Sequence, residues 1–128
     1  MATIVIMFWY ALVNNDNNNF DMAFNSVMFD KAVNTSIIKI ERVFGRAVLH
    51  DNIYALNRLK EKYGIRMYEC VFAKFNISID SHRYKTIEWA IDNRINILYA
   101  DEYYVKNNNK LFNYLKSTNK EFDSKCIM

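Results

Sequence analysis

The strongest constraint on this chain is a shortage: 128 residues contain no proline and only two glycines, Gly45 and Gly64. All-β folds use Gly and Pro at nearly every turn, because Gly reaches positive φ and Pro presets a bend. A chain this poor in both is expected to be all-α, with helices joined by short polar connections. A phosphate-cradling loop needs several glycines and is excluded. Apolar residues make up 52%, including nine Phe, nine Tyr and two Trp. That is enough to bury one core in a single domain over residues 1–128. The net charge of +3 is spread along the chain without a basic run, so no nucleic-acid partner is expected.

Hydrophobic periodicity divides the chain into segments. Residues 2–13 read as a buried apolar helix, with a core strand as the alternative. Their apolar run is about half the roughly 20 residues of a membrane span. They also lack the charged start and cleavage site of a signal peptide, so no integral membrane anchor is expected. Residues 14–19 are a polar connection. Residues 20–33 carry Phe20, Phe24, Val27 and Met28 at helical spacing, and residues 34–36 offer a turn and an N-cap. A short helix with Ile37, Ile38 and Ile40 follows.

The clearest helix is predicted over 43–63. Phe44, Ala47, Val48, Leu49, Ile53, Leu56, Leu59 and Tyr63 give it one broad apolar face. Lys60 and Lys62 near the carbonyl end and Gly64 just beyond mark its stop. Further helices are expected over 66–79 (Met67, Val71, Phe75, Ile79) and 82–92 (Tyr84, Ile87, Ile91), then a turn near 93–100 and short segments near 101–106 and 110–117. The total is seven or eight helices.

No residue set points to catalysis. His50 and His82 stand apart from any Cys or carboxylate cluster at metal-ligand spacing, so no metal or other cofactor is expected. His50 and Asp51 are sequence neighbours and point different ways on a helix. No nucleophile elbow or paired-carboxylate motif is present, and the chain reads as a non-enzyme. Cys70 and Cys126 could pair, but nothing requires it, and a reduced intracellular protein is the simpler reading. The wealth of Asn, as in 14–19 and 107–109, fits the coding bias of an AT-rich genome such as that of a large DNA virus.

Val43-Phe44-Gly45-Arg46, followed downstream by Trp89 with Asp92-Asn93, resembles the first and second homology motifs of the Bcl-2 (B-cell lymphoma-2) apoptosis regulators. The resemblance implies a helical bundle of seven to eight helices around a central helix, residues 44–63, with an apolar groove that grips the BH-3 helix of host pro-death proteins. Gly45 would let the ligand backbone approach, and Arg46 would meet the ligand aspartate with its planar fork of donors. Phe44 takes the motif's tryptophan position and Val43 its asparagine position. Ile37, Ile40, Val48 and Leu49 would line the groove floor, Phe24 and Val27 one wall, and Tyr103 the position of a groove tyrosine. Trp89 is expected in the core. The chain has no Gly-Asp pair and so lacks a killer helix of its own. The implied role is therefore an anti-apoptotic viral protein acting in the host cytoplasm, with access to the mitochondrial surface through partners. A homodimer stays open.

Two alternatives accompany this reading. One keeps the fold, closes the groove and blocks innate immune signalling through another surface. The other is a helical-repeat interaction module. Ala47 and Ala73 each lead a helix pair loosely like an ankyrin unit, although the later pair needs an insertion and the glycine-bearing turns of that repeat are missing.

Overall fold

The computed structural model describes residues 2–64, 78–79, 84–95, 99–100, 106–114 and 116–117. Helices dominate: α1 (Ala2–Val13), α2 (Asn17–Phe24), α3 (Val27–Asn34), α4 (Ile40–Leu49), α5 (Ile53–Tyr63) and α6 (Tyr84–Asp92), with residues 109–114 also helical. A short parallel bridge joins β1 (Ser78–Ile79) to β2 (Tyr99–Ala100), so the end of the helix expected over 66–79 is extended instead. The rest of that segment, with Ala73, and both cysteines lie outside the described residues.

Polar caps cut the apolar periodicity into shorter helices than the sequence suggests. Asp16 accepts from the Asn19 N–H and starts α2 within the expected connection. Ser26 accepts from the Met28 N–H and starts α3, so the single helix expected over 20–33 is two. Ile40 opens α4, and Ile37 and Ile38 belong to the connection before it.

The expected central helix, 44–63, is likewise divided. Asp51 adopts φ 51°, and the Asn52 side chain accepts from the Ala55 N–H at 3.0 Å, so α4 stops and α5 begins. Short polar side chains offer the backbone partners outside the helix, and here they win over an unbroken apolar stripe. Gly64, at φ 89°, closes α5 behind Lys60 and Lys62, as expected.

The helices that end in this way share one turn. The Ala11, Ala32, Ala47 and Ala90 carbonyls each accept from the N–H five residues on, at 2.8–2.9 Å. The residue before that donor sits at positive φ each time: Asn15, Ser36, Asp51 and Arg94. A second bond nests inside the first, as between the Asp51 N–H and the Val48 carbonyl at 3.1 Å. This is the Schellman arrangement, which satisfies the orphan carbonyls of a helix end. Here it is made without glycine.

Two of these turns build equivalent hairpins, α1–α2 and α4–α5. In matching register Phe8 corresponds to Phe44, Ala11 to Ala47, Leu12 to Val48, Phe20 to Leu56 and Ala23 to Leu59, and each of these residues is buried. Ile87 and Ala90 take the same places in α6 and are also buried. The hairpins stack with α1 beside α4 and α2 beside α5, while α3 packs on the first hairpin and α6 on α5. Around α1 the core is aromatic: the Phe8 ring lies 4.6 Å from Phe29 and 5.3 Å from Phe20, centre to centre. Each such Phe contributes roughly 1.5–3 kcal/mol by burial.

Side-chain hydrogen bonds hold the stack in register. Asn52 Nδ2 donates to the Leu12 carbonyl at 3.0 Å, and Asn15 Nδ2 to the His50 carbonyl at 3.4 Å, so the two turns brace each other. Asp51 Oδ1 accepts from both the Thr86 N–H and its hydroxyl at 2.7 Å, which seats α6. Trp89 Nε1 donates to Asn57 at 2.6 Å. On the other side, Arg58 pairs with Asp21 at 3.3 Å and donates to Asn25, and Lys62 meets Asp30 at 2.6 Å.

Candidate protein-interaction surface

Among the described residues, those expected to form a ligand groove do not gather on one exposed surface. Ile40, Val43, Phe44, Ala47 and Val48 repeat at the i, i+3, i+4 spacing of one helix face, and that face is turned into the core. Val43, Phe44 and Val48 are 0% exposed and Gly45 is buried, so these four do not reach a ligand in this conformation. Ile40 is buried as well, which removes it from a groove floor. Phe24 and Val27 cannot share a wall, because the break at Asn25-Ser26 sends them apart: Phe24 joins the aromatic core, and Val27 begins α3 in solvent at 80% exposure. Ile37 is exposed in the connection before α4. Tyr103 lies outside the described residues. Trp89 is buried in the core, with its indole N–H taken by Asn57.

Arg46 and Leu49 are exposed, and they belong to a different surface. The outer stripe of α4, counted from its N-cap residue, is Lys39, Arg42, Arg46 and Leu49. In the hairpin register, Arg42, Arg46 and Leu49 correspond to Ile6, Tyr10 and Val13 of α1. Those three are also exposed, Ile6 and Tyr10 each at 69%. Because α1 and α4 are stacked equivalents, the two stripes lie side by side on one face of the molecule. At 1.5 Å per residue, the α1 stripe runs roughly 10 Å along its helix and the α4 stripe, counted from Lys39, roughly 15 Å. Neighbouring packed helices are about 8–10 Å apart.

No family model, curated protein or solved structure matches this chain.

The two stripes differ in chemistry. Helix α1 carries no charged residue along its whole length, and its exposed side is apolar apart from the Thr3 hydroxyl and the Tyr10 phenol. Helix α4 presents three cations, and among the described residues neither Arg42 nor Arg46 forms an ion pair. The carboxylates of the adjacent turns are occupied, Asp16 by Asn19 and Asp51 by Thr86. In the same register α6 does not extend the face, since Trp89 stands where Tyr10 and Arg46 do and is folded inward.

Ile6, Tyr10, Val13 and Arg42 were absent from the sequence-derived site. Their signal was an i, i+4, i+7 apolar stripe on α1, hidden because the whole segment is apolar and its exposed and buried sides read alike. Among the described residues no group of three or more His, Cys, Asp or Glu side chains converges as metal ligands, and no helix is long and apolar enough to cross a membrane.

Proposed function

We propose that this chain is a non-catalytic, helical-repeat interaction module that binds a segment of another protein across its stacked hairpins. The observation that carries the reading is the pair of equivalent hairpins, α1–α2 and α4–α5, braced turn to turn by Asn15 and Asn52. A helix pair alone cannot cover its apolar face. Stacking such pairs builds a continuous core and leaves equivalent outward stripes as a rigid surface. The exposed apolar stripe of α1 fits a surface that meets a partner. The test is selection of binders from a random peptide display library with the full chain as bait. Saturable binders that compete with one another are expected. A folded, helical chain that yields none refutes the reading.

The anti-apoptotic reading draws on one observation: Arg46 is exposed and not ion-paired among the described residues, as a residue awaiting a ligand aspartate would be. It requires Val43, Phe44 and Gly45 to be uncovered when a BH-3 helix binds. Calorimetric titration with a panel of BH-3 peptides, with Arg46→Ala as control, separates the two. Sub-micromolar binding that depends on Arg46 would favour a groove. Absence of binding across the panel leaves the repeat module.

A further inference from the structure

Resting on the interaction-module reading, we infer that the face formed by the outer stripes of α1 and α4 takes an acidic, apolar peptide segment of a partner protein. The inference follows from how the two rows differ. Ile6, Tyr10 and Val13 give an apolar ridge on a helix without charges, two-thirds or more exposed at Ile6 and Tyr10. Beside it, the N-cap residue Lys39 and Arg42 and Arg46 of α4 follow at i, i+3 and i+7, with Leu49 closing the row. A complementary segment places bulky apolar side chains on the ridge and carboxylates opposite the guanidinium groups, where charge-assisted, two-pronged hydrogen bonds form.

Two other occupants fit less well. In a twofold contact between copies of this chain, the surface meets itself. The α4 cations of one copy would then share the interface with those of the other, and α4's outer stripe contains no carboxylate to relieve them. A nucleic acid would use the cations but leave Ile6 and Val13 without a role, and affinity for phosphates comes from many cations tracking a backbone. Three cations beside an uncharged helix match a short acidic segment better. A face of about 10 Å by 15–20 Å takes two to three turns of helix or four to five extended residues.

The test uses the full chain against two display libraries that share one apolar pattern, with Asp and Glu at the intervening positions in one and Lys and Arg in the other. Binders are expected from the acidic library alone. Their affinity should fall about tenfold or more in the Arg42→Glu/Arg46→Glu double variant, a loss of roughly 1.4 kcal/mol or more, and also in Tyr10→Ala. The double variant should switch its preference to the basic library. All three positions are exposed, and circular dichroism verifies that the variants stay helical. Equal yield from both libraries, or acidic binders indifferent to the variants, overturns this assignment while leaving the interaction module standing. A concentration-dependent dimer abolished by Tyr10→Ala would overturn it in favour of a second copy. If the random library also yields nothing, the functional reading fails with it.

Discussion

Replacing Asn52 tests the architecture at its most connected residue. This side chain is 2% exposed and does two jobs: Oδ1 caps α5 through the Ala55 N–H at 3.0 Å, and Nδ2 reaches the Leu12 carbonyl of the neighbouring hairpin at 3.0 Å. Asn52→Ala removes both. Loss of an N-cap costs about 1 kcal/mol. Loss of a buried hydrogen bond costs about 1 kcal/mol, rising toward 3 when the remaining group is left unpaired. The Leu12 carbonyl retains a long contact to the Asn15 N–H, at 3.5 Å, so the lower end applies. The expected total is about 2 kcal/mol. In urea, with a slope of about 1–3 kcal/mol per molar, the midpoint should fall by about 1 M. Asn52→Asp separates the two roles, because it keeps the capping oxygen and removes the donor. It should lose roughly half as much as alanine or more, since its carboxylate then faces the Leu12 carbonyl. An alanine variant whose midpoint moves by less than about 0.3 M would refute the claim that the turns are braced through this residue. Equal stability of the aspartate variant and the parent would refute the inter-hairpin half of it.

Other substitutions probe the same units. Ala47→Leu places a large side chain where α4 is fully buried at its turn, and overpacking should destabilise by about 1–3 kcal/mol, read as a lower thermal midpoint. Arg94→Gly should stabilise by up to about 1 kcal/mol, because Arg94 is exposed, sits at φ 56° and bears the left-handed penalty that glycine avoids. A thermal midpoint that fails to rise would count against a strained turn there. The hydrogen bond to Asp21 holds the Tyr54 hydroxyl above its usual pKa of 10.0, and burial does the same for Tyr63. For both, the protonated form is favoured in the fold, so their contribution is intact below pH 10 and is lost as pH climbs from there. Denaturation at pH 8 and pH 11 should show a smaller alkaline loss for Tyr54→Phe than for the parent.

Much of the fold was legible. The shortage of Gly and Pro implied helices, the apolar run at 2–13 gave α1, and Lys60, Lys62 and Gly64 marked the end of α5. The breaks were harder to read. Between Leu49 and Ile53 the sequence reads His-Asp-Asn, three residues tolerated in a helix, and the apolar stripe resumes in phase beyond them. Only the combination of positive φ at Asp51 with an Asn52 cap stops α4, and both are turn preferences that a strong stripe masks. The repeat was hidden for a related reason. Its alanines are Ala11, Ala47 and Ala90, each three residues after a buried Phe or Ile. A comparison of Ala47 with Ala73 misses that register. Asn15, Asp51 and Arg94 occupy the positions where glycine would have announced the turns.

The candidate surface was half legible for a physical reason. Arg46 drew attention as a charged residue in a motif, and its exposure fits that attention. Its motif neighbours Val43, Phe44 and Gly45 were assigned to the same site because the resemblance places the whole motif at the groove. On a helix, adjacent residues point about 100° apart, so Phe44 and Gly45 face inward while Arg46 faces out. The partners of Arg46 on the surface come from another helix, at Ile6, Tyr10 and Val13, and what aligns them is the brace between the turns. Asn15 and Asn52 set the register of α1 against α4, and with it the spacing between the apolar ridge and the guanidinium groups. A brace of this kind spares a bound segment the cost of ordering its own docking site. Stability and recognition should therefore be coupled at Asn52. An Asn52→Asp chain that remains folded should bind the acidic segment more weakly, although Asn52 is buried and takes no part in the docking face. Unchanged affinity in that folded variant would mean that packing of Phe8 and Phe44, without the polar brace, is enough to hold the two stripes together.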